Sequence, residues 1–251
     1  MEDFISIRKL YKKLGNQEVL KGVDLDVRPG ETLVVIGRSG GGKSVLLKHI
    51  IGLMKPTSGE VLVEGQNIVE LTERQLSGIR KKIAILFQSA ALFDSMSVEN
   101  NVAFPLREHG IKDPKEIEKK VADALEVVDL AGEQKKMPEN LSGGMRKRVG
   151  LARAIVSSPA CILYDEPTTG LDPIVADSIN HLIRRLQKRF QVTSIVVTHD
   201  MKSAFHVADQ IAYLYEGRIY FKGTPAQLQA SKDPIVSDFI EGRSEYANEK
   251  P

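Results

Sequence analysis

Gly37-Arg38-Ser39-Gly40-Gly41-Gly42-Lys43-Ser44 has the pattern G-x-x-x-x-G-K-S and follows directly on the apolar run Thr32-Leu33-Val34-Val35-Ile36. The two segments predict a strand, a glycine-rich loop and a helix that begins near Lys43. Glycines let consecutive backbone N–H groups turn toward phosphate oxygens without Cβ clashes, and the helix N-terminus adds the positive end of its dipole. Lys43 would then reach the β- and γ-phosphates of a nucleotide, and the Ser44 hydroxyl would bind Mg²⁺. The pattern therefore predicts a P-loop.

Composition and charge narrow the class of protein. The chain has 251 residues, of which 42% are hydrophobic and 27% are charged, which is typical of a globular domain with a sizeable core. Lysine plus arginine total 35 and aspartate plus glutamate total 33, so we expect no nucleic acid partner. The single cysteine, Cys161, excludes an intrachain disulfide and a cysteine-rich metal site. No apolar run approaches the ~18 residues that span a membrane, so we expect any membrane role to come through partners.

Short strands are predicted on both sides of the P-loop. Apolar residues mark 4–7, period-2 alternation marks 23–27, and Gly15-Asn16 between them reads as a turn. A further strand is predicted at 59–65. We expect these strands to form an antiparallel layer beside the nucleotide, where Tyr11 either stacks on adenine or is an ordinary surface tyrosine.

Three later strands are each predicted to end in polar side chains, at 83–88, 160–166 and 194–200. The Gln88 amide at such an edge could complete Mg²⁺ coordination and sense the γ-phosphate, or it could merely cap its strand. Adjacent strand residues point to opposite faces, so Asp165 and Glu166 should do different work. Asp165 suits Mg²⁺ binding through water, and Glu166 suits deprotonation of an attacking water. His199 is either a γ-phosphate sensor or a structural histidine.

A helical lobe is predicted at about 90–155. Apolar spacing indicates an amphipathic helix over 114–130. Ser142-Gly143-Gly144 precedes a second helix, where a serine hydroxyl and free N–H groups could bind a phosphate. The alternative is a simple N-cap, with the basic run Arg146-Lys147-Arg148 on a solvated helix face.

In order and spacing, these segments resemble the six motifs of the ATP-binding subunits of ABC transporters. The Walker A, Q-loop, signature, Walker B, D-loop and H-loop correspond to Gly37 to Ser44, Gln88, Leu141 to Met145, Cys161 to Glu166, Leu171-Asp172 and His199. The resemblance covers roughly residues 4 to 230. It implies an α/β P-loop NTPase fold of the ABC ATPase type, with a RecA-like core, an antiparallel β layer and an inserted helical lobe. Val45 replaces the usual threonine and Met145 the usual glutamine, and the first change removes a possible hydroxyl contact to phosphate.

The resemblance also implies which residues work on Mg²⁺–ATP. The catalytic residues would be Lys43, Glu166 and His199. Nucleotide contacts would come from Gly37, Arg38, Ser39, Gly40, Gly41, Gly42, Lys43, Ser44, Val45, Gln88, Ser142, Gly143, Gly144 and Asp172. The metal ligands would be Ser44, Gln88 and Asp165.

A narrower resemblance concerns the segments around 87–93 and 102–109 and the Met145 signature, which look like the ATPase of the Mla (Mce-linked) phospholipid transporters. It implies a peripheral protein on the cytoplasmic face of the inner membrane, coupled to permease subunits that handle the lipid cargo. Because each chain carries one P-loop and one signature, we expect a head-to-tail homodimer that encloses ATP at its interface. The alternative function is an ABC ATPase of a cell-division or other non-transport signalling complex.

The predicted ABC ATPase domain spans 1–240, and a polar tail follows at 241–251. Within 233–242 the sequence predicts a short helix with Asp233 as N-cap and Gly242 at its end. Its apolar face, which includes Phe239, either docks on its own chain or reaches the other subunit of the dimer.

Overall fold

The structure, a computed structural model, describes residues 2–243. The described part of the chain forms two compact units, one made by residues 2–69 together with 197–243, and the other by residues 70–196. Of the predicted tail at 241–251, Glu241 ends the last helix, and the residues from 244 lie outside the described part of the chain.

The elements follow one another along the chain in a mixed α/β order. They are β1 (Ile5–Leu14), β2 (Gln17–Val27), β3 (Thr32–Ile36), α1 (Lys43–Ile50), β4 (Ser58–Val63), β5 (Gln66–Asn67), α2 (Glu73–Lys82), β6 (Ile83–Leu86), α3 (Val98–Glu108), α4 (Pro114–Val127), a 3-10 turn (Pro138–Asn140), α5 (Gly143–Ile155), β7 (Cys161–Asp165), α6 (Pro173–Phe190), β8 (Thr193–Thr198), α7 (Met201–Val207), β9 (Gln210–Tyr215), β10 (Arg218–Gly223), α8 (Pro225–Gln229) and α9 (Pro234–Glu241).

The predicted antiparallel layer is a four-stranded sheet of the first unit, with strand order β2-β1-β4-β5. Ile5 and Ile7 of β1 are fully buried, since alternate side chains of a strand share one face. β1 runs further than the apolar residues alone predict, because its polar second half still pairs with β2 up to the turn at Gly15-Asn16. Tyr11 on β1 is 40% exposed and its hydroxyl lies over Gly22 of β2, where an added Cβ would come within 2.7 Å of the hydroxyl oxygen. Stacking of Tyr11 on adenine stays a prediction.

The P-loop follows a strand that is buried on both faces. All five residues of β3 are inaccessible to solvent, and β3 pairs in parallel with β9, with Val35 opposite Ala212. β9 in turn pairs antiparallel with β10. A parallel strand buried on both faces reads as a continuous apolar run, which is how Thr32 to Ile36 appears in the sequence.

In the second unit, β6 and β7 pair in parallel with Leu86 opposite Tyr164. Both strands are shorter than the sequence predicted, because β6 ends two residues before Gln88 and β7 ends at Asp165. The helices α3, α4 and α5 fall within the predicted lobe. α4 begins at its N-cap Asp113 and buries the apolar positions that the sequence indicated, Ile117, Val121, Ala124 and Leu125.

Over residues 2–243, none of the helices combines the length and the apolar character that crossing a bilayer requires.

The C-terminal helix α9 packs against other elements of the first unit, to which it belongs. Asp233 caps it by accepting hydrogen bonds from the N–H groups of Ile235 and Val236, at 2.9 Å and 3.3 Å. The Phe239 ring stacks on Tyr213 of β9, with 4.6 Å between ring centroids, and Val236 is 1% exposed. The contacts of α9 therefore favour the own-chain alternative for its apolar face.

We expect Phe239→Ala to lower the free energy of unfolding by about 1.5 kcal/mol, because it removes the ring that covers Tyr213. Chemical denaturation measures the change, and Phe190→Ala is the matched control, since Phe190 is 48% exposed and its loss should cost less. Unchanged stability of the monomer together with weaker nucleotide-free association would point instead to an inter-subunit role for α9.

Candidate active site

The backbone of the P-loop requires glycine at two positions that the structure makes explicit. A Cβ at Gly37 would lie 2.6 Å from the Leu214 carbonyl oxygen of β9, so only glycine fits where the loop leaves β3. Gly42 has φ +99°, and an added Cβ would meet the side chains of Val19 and Leu20 at 3.1 Å. As the N-cap of α1, Gly42 brings no side-chain oxygen to the first N–H groups, which suits a helix N-terminus that binds an anion.

Lys43 is the first residue of α1 and is 5% exposed. Its Nζ donates to the carbonyl oxygens of Gly37 and Arg38, at 2.8 Å and 3.1 Å. The two acceptors belong to the loop itself. The glycine-rich backbone thus holds the ammonium group within its own turn, where a phosphate cradled by the loop would meet it.

His199 follows the last residue of β8 and lies in the same unit as the P-loop. It lines one cavity together with Arg38 and Ser39 of the loop and with Tyr213 and Phe239. Burial raises the pKa of Tyr213 to about 12, and Arg38 opposes this shift. The structure therefore brings His199 and the P-loop to one cavity, which residues of α9 also line.

Glu166 lies just beyond β7, with φ +48° and only 8% exposure. The strand alternation used to separate Asp165 from Glu166 does not extend to Glu166, because the chain turns into the left-handed region there. The Thr169 hydroxyl donates to Glu166 Oε2 at 3.1 Å and so orients the carboxylate. Asp165 remains on the strand as its last residue, half-buried.

The signature turn is built as a capped helix start. Ser142 Oγ accepts the N–H of Met145 at 3.2 Å, as an N-cap does. A Cβ at Gly144 would come within 2.6 Å of Val175 on α6, so the glycine lets α5 and α6 approach closely. Asp172 caps α6 by accepting from the N–H groups of Ile174 and Val175, both at 3.0 Å. Asp172 thus has a structural role, and its contact with nucleotide stays a prediction.

Lys147 contradicts the reading of 146–148 as a wholly solvated face, since it is 5% exposed. Its Nζ donates to the carbonyl oxygens of Gln88 and Glu166, the latter at 3.3 Å. Burial lowers the pKa of Lys147, while the carboxylates of Asp165 and Glu166 raise it. Lys147 therefore brings the Q-loop and the end of β7 together within the second unit.

The sequence contains one signal for the burial of Lys147. Lys147, Leu151 and Ala154 are spaced i, i+4, i+7 on α5, and all three are buried. That spacing marks one face of a helix. Thr169, the partner of the Glu166 carboxylate, had no comparable signal because a Thr-Thr-Gly turn is common in loops.

Comparison with known proteins places these features in one family. The family model described as ABC transporter matches residues 20–169. The intermembrane phospholipid transport system ATP-binding protein MlaF of Haemophilus influenzae is 41% identical over 244 residues, which cover 97% of this chain and 92% of that protein. The probable ribonucleotide transport ATP-binding protein mkl of Mycobacterium leprae is also 41% identical, over 95% of this chain and 69% of that protein.

Solved structures agree with the family model. A dimeric ATP-binding cassette in a post-hydrolysis state, bound to ADP and Pi, is 32% identical, with a TM-score of 0.81 over 88% of this chain and 98% of that chain. The class of protein that the fold and these motifs define is a P-loop NTPase of the ATP-binding cassette type, as the sequence predicted. The chain belongs to the ABC transporter family, and it is an ABC ATPase that binds and hydrolyses ATP.

Proposed function

We propose that this chain hydrolyses Mg²⁺–ATP to drive phospholipid transport through membrane-embedded permease subunits. The observation that supports phospholipid as the cargo is the 41% identity to the Haemophilus influenzae MlaF protein, which spans 97% of this chain and 92% of that protein. Ribonucleotide is the second candidate, because mkl of Mycobacterium leprae is equally identical. Phospholipid comes first, since only 69% of mkl is matched.

The residues of the chain fit Mg²⁺–ATP by their chemistry. Gly42, the N-cap of α1, brings no side-chain oxygen to the first N–H groups of the helix, which leaves them for a phosphate. Ser44, Gln88 and Asp165 offer a hydroxyl, an amide and a carboxylate, the oxygen ligands that Mg²⁺ prefers. Bound Mg²⁺ would neutralise charge on the β- and γ-phosphates.

Three residues carry the proposed hydrolysis. Lys43 would stabilise the charge that develops on the γ-phosphate, and Glu166 would accept the proton of the attacking water. The hydrogen bond from Thr169 to the Glu166 carboxylate supports this role, because it fixes a base that must be aligned with water. His199 would contact the γ-phosphate, and its shared cavity with Ser39 of the P-loop supports that assignment.

We further propose a head-to-tail homodimer, in which the P-loop of one chain and Ser142 to Gly144 of the other enclose each ATP. The dimeric, post-hydrolysis state of the related cassette supports this arrangement. The domain would span 1–240, and its lobe at about 90–155 would carry the signature. ATP contacts both chains only when they close, so ATP binding would favour closure and hydrolysis would release it. The dimer would sit on the cytoplasmic face of the inner membrane, bound to permease subunits that handle the lipid.

The experiment is reconstitution of the chain with its membrane subunits into vesicles that contain fluorescent phospholipid, with labelled ribonucleotide as the competing cargo. We expect ATP-dependent transfer of phospholipid that Glu166→Gln abolishes. Movement of ribonucleotide with phospholipid stationary would favour the second candidate. ATP hydrolysis without movement of either cargo would favour the signalling alternative.

A further inference from the structure

Lys147 is a buried cation on the helix that carries the signature. It lies on α5, five residues after Ser142, and its neighbours on the buried face of that helix, Leu151 and Ala154, are apolar. Burying an ammonium group is costly unless hydrogen bonds replace its water. An unbranched apolar side chain of similar length would fill this position without that cost. The cation therefore needs an explanation beyond packing.

The two hydrogen-bond acceptors of Lys147 account for the burial of its ammonium group. The ammonium group donates to the main-chain oxygens of Gln88 and Glu166, which follow the paired strands β6 and β7. Both acceptors are backbone oxygens, so Lys147 fixes the course of the chain at these two residues whatever their side chains do. Hydrogen bonds from a charged donor are stronger than those between neutral groups.

The backbone of Glu166 is the part of the site that most needs fixing. Its φ of +48° lies in the left-handed region, which side chains other than glycine rarely adopt. The carbonyl oxygen of Glu166 accepts from Lys147 Nζ and from the Thr169 N–H, both at 3.3 Å, and its carboxylate accepts from the Thr169 hydroxyl. The Thr169 hydroxyl fixes the carboxylate at the end of the side chain. Lys147 Nζ and the Thr169 N–H fix the backbone from which that side chain extends.

We propose that Lys147 is a positioning residue, which ties the signature helix α5 to the backbones of Gln88 and Glu166 so that displacement of α5 moves the general base of the same chain. The proposal rests on the role of Glu166 given above. It predicts that loss of the Lys147 ammonium group affects the chemical step more than ATP binding, since Lys147 positions the backbone of the general base and donates to main-chain oxygens.

The test is the steady-state ATPase activity of Lys147→Met, which keeps the length of the side chain and removes its donors. We expect kcat to fall about tenfold, which is the loss expected when the charge-assisted hydrogen bond to the Glu166 carbonyl oxygen is removed. KM for ATP should change less than about twofold. Lys147→Arg keeps a charged donor and should recover part of the loss in kcat. Lys119→Met on α4 is the matched control, because Lys119 is exposed and should leave both constants unchanged.

A wild-type kcat for Lys147→Met would overturn the proposal, and so would a loss of kcat that Lys147→Met and Lys147→Arg share equally. If Lys147→Met does not fold, Lys147→Leu replaces it, because leucine also has no donor, with the same expected split between kcat and KM and the same contradicting result. Glu166→Gln distinguishes failure of the proposal for Lys147 from failure of the proposed function. If Glu166 is the base, Glu166→Gln is inactive even when Lys147→Met is not; if Glu166→Gln is active, the base assignment itself is wrong.

Discussion

Glu166→Gln should reduce ATP turnover by about 100-fold or more and leave ATP affinity near that of the unchanged protein. The amide has the shape of the carboxylate but cannot accept the proton of water. Its oxygen can still accept the Thr169 hydroxyl, and the Lys147 contact is to the main chain, so the local structure should persist. Single-turnover hydrolysis measures the chemical step, and titration with a fluorescent ATP analogue measures binding.

Glu118→Gln on α4 is the control for Glu166→Gln. Glu118 is exposed, and its substitution removes the same charge elsewhere in the second unit. In Mg²⁺–ATP the Glu166→Gln protein should also accumulate as a dimer, since ATP is bound and not consumed. Unchanged hydrolysis would show that another group activates the water.

Lys43→Ala should reduce ATP turnover by on the order of 10³-fold, because it removes the cation that offsets charge on the transferred phosphoryl group. The fold should remain, since the Lys43 ammonium group donates to carbonyl oxygens of its own loop rather than to another element. Circular dichroism verifies the fold, and a phosphate-release assay measures turnover.

Lys48→Ala is the matched control for Lys43→Ala, because Lys48 lies on the same helix and is exposed. We expect it to hydrolyse ATP at the unchanged rate. Turnover of Lys43→Ala close to that of Lys48→Ala would contradict the assignment of the P-loop.

Features that depend on local sequence were predicted well. The P-loop and the start of α1 at Lys43 follow from glycine geometry and a buried strand, which are readable within fifteen residues. The same is true of α9, whose N-cap Asp233 and left-handed Gly242 mark both ends. The order of the motifs indicated the fold class, and the family model and solved structures confirmed it.

The features that the sequence missed are set by tertiary contacts. Strand predictions ran on to Gln88 and Glu166 because polar residues directly follow the apolar runs, yet the chain turns before each of them. The spacing of Lys147 with Leu151 and Ala154 marks a helix face, but the hydrogen bonds of Lys147 depend on where two other segments place their carbonyl oxygens, which no local pattern records. A basic run is usually solvated, and here one member faces inward.

Site-directed cross-linking can establish whether each ATP is shared between two chains. Cys161 is the sole cysteine and is fully buried, where burial also raises the pKa of its thiol, so introduced thiols would be the reactive ones. The measurement uses Ser39→Cys and Ser142→Cys together in the Glu166→Gln protein, with a short bis-maleimide and Mg²⁺–ATP. The single substitutions serve as controls.

If ATP is shared, a covalent dimer forms only with Mg²⁺–ATP and only when both substitutions are present, with peptides containing positions 39 and 142 joined between chains. The product is measured by denaturing electrophoresis and peptide mass spectrometry. A link confined to single chains, or no ATP-dependent link at all, would contradict the shared site.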